Sequence, residues 1–244
     1  MNTIRQAENT KDDYKINKNM RNFENIAFDG RKIKIDFLIV GHPRSGTGYM
    51  SKLFTSMGYQ VGHETIGPHG TSCWTFATDS ANYLFGAPGP GERGIKNTTR
   101  KNLDYKYLIH CIRNPFDTIN SVYQTENNGN SDKFRMIHAK PKIVYKNDLE
   151  KTILSVIRWN EMIEKIGPVA VFKVEDCENQ VFNFLTQSGY KPIKKESVSK
   201  NYNTREKSSS NKLSVLDYKN VSKEVLDELD AYCTKYGYKN ILNA

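Results

Sequence analysis

The stretch that most constrains the chain is Phe37-Leu38-Ile39-Val40-Gly41-His42-Pro43-Arg44-Ser45-Gly46-Thr47-Gly48-Tyr49-Met50. It opens as a short apolar run with branched residues and passes through a turn holding Pro43 and two Gly. It leaves with Met50, Leu53, Phe54 and Met57 at three- and four-residue steps. That order is strand, tight loop, helix. Such a loop aims several backbone N–H groups and the positive end of a helix dipole at one small volume, and Gly lets the main chain approach an anion closely. The reading is a phosphate cradle. Arg44 adds a cation, and Ser45 and Thr47 add hydroxyl donors.

What the loop lacks narrows the phosphate. A nucleoside-triphosphate loop reads G-x-x-x-x-G-K-[ST], its Lys reaching the outer phosphates and its hydroxyl binding magnesium. Gly41 and Gly46 have that spacing, but Thr47-Gly48 stands in place of Lys-Ser/Thr. The dinucleotide pattern G-x-G-x-x-G fails as well, because Pro43 occupies its second Gly position. The cation lies inside the loop, at Arg44.

A chain of 244 residues fits one α/β domain with ample core. The formal net charge of +9 favours acidic ligands, although a Lys-rich solvated surface accounts for much of such a charge. Four Cys at 73, 111, 177 and 233 show no C-x-x-C spacing, so neither a zinc ribbon nor a disulfide framework is indicated. A reduced interior suits them. No stretch approaches the roughly 20 apolar residues of a membrane span, and the N-terminus lacks an apolar signal core. The expectation is a soluble, cytoplasmic protein with no membrane partner.

Residues 1–30 are polar and aperiodic and read as a flexible arm; 31–244 read as a single domain. After the first strand (34–40), the loop and a helix to about Met57, a very short second strand ends at His63-Glu64. Residues 65–102 are Gly-, Pro- and Ser-rich with one helix, Trp74 to Tyr83, and are assigned to the acceptor side of a ligand crevice. A third strand, Tyr107 to Ile112, runs into Arg113-Asn114-Pro115 and a helix through Ser121 and Tyr123. Residues 127–146 read as an insertion or mobile lid. An amphipathic helix (149–166), a fourth strand (169–174), a helix (179–188), a basic loop (191–212) and a closing helix (222–236) complete the pattern. The β-α alternation predicts a three-layer α/β domain, a central parallel sheet flanked by helices.

Arg113 comes directly off a strand, and Ser121 lies eight residues on, about two turns into the next helix, so both can reach one phosphate. By itself this pairing is weak, since a strand-terminal Arg often meets a carboxylate. Taken together, however, Pro43-Arg44-Ser45-Gly46-Thr47 and Arg113-x-Pro115-x-x-x-x-x-Ser121 resemble the 5′-phosphosulfate loop and the 3′-phosphate motif of the sulfotransferases that use 3′-phosphoadenylyl sulfate (PAPS). The resemblance covers roughly residues 34–190, continuing more weakly through Trp159-Asn160 and Val174-Glu175-Asp176. It departs at Gly48-Tyr49, where relatives commonly carry Thr-Thr/Leu or Thr-Thr-Trp.

The resemblance implies that Pro43, Arg44, Ser45, Gly46, Thr47, Gly48 and Tyr49, with Arg113 and Ser121, bind PAPS and its product adenosine 3′,5′-bisphosphate (PAP), with no metal. Glu64 stands twenty residues after Arg44, and the wording Gly62-His63-Glu64-Thr65 is similar to the tyrosylprotein branch of the Golgi enzymes, whose Glu is the general base. Glu64 and Arg44 are therefore the expected catalytic pair. His63 is the rival base, with a pKa near working pH, and strand alternation turns the two side chains opposite ways. A zinc-protease reading of His63-Glu64 fails because position 67 is Gly67.

His63, His69 and Trp74 are candidates for shaping the acceptor pocket, Trp74 also reading as core. Lys200, Arg205 and Lys207 could close over the 3′-phosphate or be a solvated charge run, and His42 and His110 read as packed in place. The acceptor implied is a hydroxyl of a glycan, a small metabolite or a tyrosine. Two other readings remain: a P-loop nucleotide kinase or NTPase, which lacks its Lys and magnesium ligands here, and a non-catalytic basic nucleic-acid-binding domain. Against the last, no aromatic-basic interleaving of the single-strand-binding kind is present, and no specific nucleic acid is expected.

Overall fold

A computed structural model of the chain describes residues 32–80, 91–127, 129–139, 141–193, 198 and 212–243. The N-terminal arm and the segment with Lys200, Arg205 and Lys207 lie outside the described residues. Five parallel strands form one sheet in the order β2-β3-β1-β4-β5: β1 Ile33–Val40, β2 Val61–His63, β3 Gly70–Ser72, β4 Leu103–Ile112 and β5 Ala170–Lys173. Six α-helices among the described residues surround it: α1 Thr47–Ser56, α2 Pro115–Thr125, α3 Asn130–His138, α4 Asp148–Ile166, α5 Glu178–Gln187 and α6 Lys223–Tyr236. The architecture is the expected three-layer α/β domain.

Side chains alternate across a strand, so the continuous apolar run of β1 feeds two cores. Phe37 and Ile39 face α1 and α5, packing with Met50, Leu53, Phe54, Val181 and Leu185. Leu38 and Val40 face the other way, onto Trp74, Phe76, Phe134, Trp159 and Ile163. A further cluster joins α2, α4 and α6 through Ile119, Ile153, Val156, Ile157, Val225, Leu229 and Tyr232. α4 is bounded as its sequence dictates: the Asn147 side chain accepts from Glu150 N at 3.0 Å, and Gly167 follows in the left-handed region at φ 81°. None of the described helices is long and apolar enough to cross a membrane.

The structure corrects the sequence reading in four places. The region 65–102, read as loops and one helix, also holds β3, which has no apolar residue; a Cβ at Gly70 would lie 2.1 Å from Phe37 O, so bare Gly lets this short strand pair with β1. Of the helix expected from Trp74 to Tyr83, the described residues form a single 3-10 turn ending at Ala77, and 81–83 lie outside them. β4 starts at Leu103, four residues earlier than expected. The expected lid at 127–146 contains α3, whose Phe134 is fully buried against Trp74 and Trp159 and anchors the segment to the core.

Candidate functional site

The loop after β1 is tightly specified. Ser45 N donates to His42 O at 3.0 Å, Arg44 takes φ 70° and Gly46 takes φ 95°. A positive φ at a non-Gly residue is uncommon and strained, and it persists where neighbouring contacts hold it. Gly41 must be bare, because a Cβ there would lie 2.4 Å from Ser45 Oγ and 2.6 Å from Cys111 O. Gly46 occupies the N-cap position of α1 with no side-chain cap and no acidic residue in the first turn. Helix geometry leaves the N–H groups of Thr47, Gly48 and Tyr49 without intrahelical acceptors.

The side chains of Ser45, Thr47 and Tyr49 each have a partner within the protein. Ser45 is buried; its hydroxyl donates inward to Cys111 O at 3.3 Å and its N–H is already bonded, so it fastens the loop to β4 rather than facing an anion. Thr47 Oγ1 lies 3.3 Å from His63 Nε2. The Tyr49 hydroxyl donates to Glu178 Oε1 at 3.1 Å, which turns its ring toward α5 and leaves its backbone N–H as its contribution to the cradle.

The second motif converges on the first. Arg113 follows the last residue of β4, and α2 begins with Pro115 behind Asn114, whose side chain accepts from Phe116 N at 3.0 Å. Arg44 Nε donates to Ser121 Oγ at 3.0 Å, and Arg113 Nη1 donates to Arg44 O at 3.4 Å. Arg113 also meets Asp117 at 3.8 Å, a long contact at a partly exposed guanidinium that contributes little. Glu175, just beyond β5, accepts from Asn114 N at 2.6 Å and from the Tyr238 hydroxyl at 3.1 Å, bracing the start of α2. From β1 the chain crosses through α1 to β2 on one side, while β4 pairs with β1 on the other, so the two motifs flank the switch point of the sheet, where parallel sheets bind ligands.

The third side is built from β2 and β3. Ser72 Oγ donates to Thr47 O at 2.7 Å, and Glu64 N donates to Ser72 O at 3.1 Å, bringing the end of β2 against the start of α1. The strand stops at His63, and Glu64 turns to φ 58°. The two side chains have different partners: the His63 ring lies against Thr47 at the start of α1, and the Glu64 carboxyl meets the Trp74 side chain. Burial pushes the Glu64 carboxyl up to about 7; the Trp74 side chain bonded to it opposes the shift, nearby Glu126 reinforces it and Arg44 opposes it. Burial, then Arg44, holds the His63 imidazole below its ordinary range, while Glu92 works against them.

Trp74 is 4% exposed and packs among Phe134 and Trp159, so it is core and also a donor to Glu64, not an acceptor-stacking surface. His69 is a correction. It precedes the first residue of β3, receives Gln60 N at 3.0 Å and packs on Tyr59, so it sits at the opposite end of that strand from the crevice. Glu126, at the end of α2, carries no sequence signal, because nothing local to it marks a residue 62 positions from Glu64 as its neighbour. Compared with protein-family models, with curated proteins and with solved structures, the chain matches none of them.

Proposed function

We propose that the chain is a sulfotransferase that moves the sulfuryl group of PAPS to an acceptor hydroxyl, of a glycan or small metabolite, with Glu64 as general base. The observation that carries this reading is the convergence of Arg44, Ser121 and Arg113, from two motifs on adjacent strand ends, at one crevice bordered by a carboxyl with a pKa of about 7. The residues fit such a donor. Bare first-turn amides and Arg44 suit a phosphosulfate, and the partly exposed Arg113, linked to Ser121 through Arg44, suits a further phosphate. The Lys and magnesium hydroxyl of a triphosphate loop are absent, and Thr47 is engaged with His63.

The donor, when bound, supplies a sulfuryl group on a phosphate leaving group. Arg44 and the amides of Gly48 and Tyr49 then neutralise charge building on the leaving oxygen, and they are preorganised by the loop contacts, so no reorganisation is needed during reaction. Glu64 takes the acceptor proton as the acceptor oxygen bonds to sulfur and the bond from sulfur to the phosphate oxygen breaks. A pKa near 7 matches that task at neutral pH, and Trp74 keeps the carboxyl oriented. Arg113 and Ser121 hold the distal phosphate and so set register.

The test is calorimetric titration with PAP, ATP with magnesium, and adenosine 5′-phosphate. Tight binding of PAP alone supports the reading; preference for ATP with magnesium replaces it with a kinase or NTPase, and no binding by any of the three overturns it.

A further inference from the structure

Beneath the loop lies a polar chain that the catalytic groups do not use. Arg135 of α3 is 1% exposed, and its Nε donates to Ser155 Oγ of α4 at 3.1 Å. Ser155 Oγ lies 3.1 Å from His42 Nε2, and His42 Nδ1 lies 2.7 Å from Pro43 O. A carbonyl only accepts and a guanidinium only donates, so both ends of this chain are fixed. The Pro43 end requires the proton on His42 Nδ1. Burial and then Arg135 hold the imidazole well below its ordinary range, so it is neutral and its Nε2 accepts. Ser155 therefore accepts from Arg135 and donates to His42, and each group has one allowed role.

The other arms of Arg135 reach the end of α2 and the first turn of its own helix, α3. Nη2 donates to Glu126 O at 2.8 Å and meets Asp132 at 3.4 Å, and Nη1 donates to Ser131 Oγ at 2.8 Å. Lys151 adds bonds to Asn127 O at 2.9 Å and Asp132 at 3.2 Å, and Thr152 Oγ1 donates to Asn127 Oδ1 at 3.1 Å. The end of α2, the helix that bears Ser121, is thus tied to the same cation as the loop. Burying a guanidinium carries a desolvation cost, which these bonds offset by satisfying it on three sides.

We infer that Arg135, Ser155 and His42 are positioning residues: a one-way hydrogen-bond chain that fixes the Pro43 peptide and so holds the anion loop in its strained shape against α2. The Pro43 C=O and the Arg44 N–H share one trans peptide and point in opposite directions. Drawing the carbonyl inward to His42 turns the Arg44 amide away from the core and presets the backbone that leads into φ 70° at Arg44. The inference rests on the anion-binding reading of the loop only for its effect on ligand.

Ser155→Ala removes one oxygen, separating Arg135 from His42. In the folded, ligand-free protein, well below its melting temperature, the Ser45 amide (bonded to His42 O) should exchange with solvent at least tenfold faster, with Leu38 in β1 unchanged. PAP affinity should fall at least tenfold, and nitrogen-15 spectra of the wild type should show neutral His42 with its proton on Nδ1. Ser45 exchange within twofold of wild type, an equal acceleration at Leu38, or an Nε2-protonated ring would overturn the inference. His42→Gln, which lacks the Nδ1 donor, should give the same Ser45 signature and decides the matter if the Ala variant does not fold. Should the wild type not bind PAP, the sulfotransferase reading falls, while Ser45 exchange and the His42 tautomer still decide the role of the chain.

Discussion

Arg44 Nε donates to Ser121 Oγ at 3.0 Å across 77 positions of sequence, making one surface from the β1 loop and the helix that follows β4. Because Arg113 donates to the Arg44 carbonyl, the two arginines are braced against each other through backbone and hydroxyl rather than facing each other as bare charges.

The division of labour between them has a thermodynamic signature. Arg113→Ala should weaken PAP binding by about 1.5–3 kcal/mol, the scale of a charge-assisted hydrogen bond, while leaving adenosine 5′-phosphate nearly unaffected. Ser121→Ala should cost about 1 kcal/mol by releasing Arg44 Nε. Calorimetry on both nucleotides checks this, and equal losses for the two would place the distal phosphate elsewhere.

Glu64→Gln should abolish turnover with PAP affinity within about twofold of wild type, since the amide carbonyl still accepts from Trp74. The wild-type kcat/KM profile should carry an acidic limb near pH 7, because only the ionised carboxylate can take a proton and its pKa is raised to about 7. A limb near 4.5 would mean that the carboxyl is solvated during turnover.

The same shift makes a statement about stability. Folding raises the Glu64 pKa from 4.5 to about 7, so the fold favours the protonated form. That contribution is fully present below about pH 4.5 and is lost as pH rises through 7. Glu64→Gln should therefore be close to wild type in unfolding free energy at pH 4.5 and more stable by about 3–3.5 kcal/mol at pH 8, at roughly 1.4 kcal/mol per pKa unit. Urea titrations at the two pH values give the difference directly.

Two glycines separate backbone strain from crowding. Gly46 and Gly189 both have positive φ, at 95° and 85°. A Cβ at Gly189 meets nothing within 4 Å, whereas one at Gly46 would lie 2.8 Å from Val174. Gly189→Ala should cost about 1 kcal/mol from the left-handed backbone alone, and Gly46→Ala about 1–3 kcal/mol more from the clash. Chemical denaturation of the two variants yields the contrast, and equal costs would show that Val174 moves aside freely.

Much of the fold was legible in residue order because its signals are local. The run Phe37 to Val40 could only be a strand covered on both faces, and the Gly-rich turn followed by a 3.6-residue period could only be a loop entering a helix. Gly70–Ser72 was not legible, since a three-residue polar strand exists through the approach of Phe37 O to a bare Gly. Nor was α3, whose own sequence is mostly polar and whose place is held by Phe134 in a core built from other elements.

At the site, the sequence by itself determined which groups are available: a bare-amide loop with Arg44, the spacing of Arg113 and Ser121, and a carboxylate at the end of β2. Only the tertiary structure decided what each group does. It turned Ser45 inward, moved His69 to the far end of β3, set Glu64 against Trp74 and led Arg135 through Ser155 and His42 to Pro43. The reason is physical. Backbone conformation and periodicity follow from neighbours along the chain, whereas desolvation, a raised pKa and the direction of a hydrogen bond depend on atoms brought close by packing, here from positions tens of residues away.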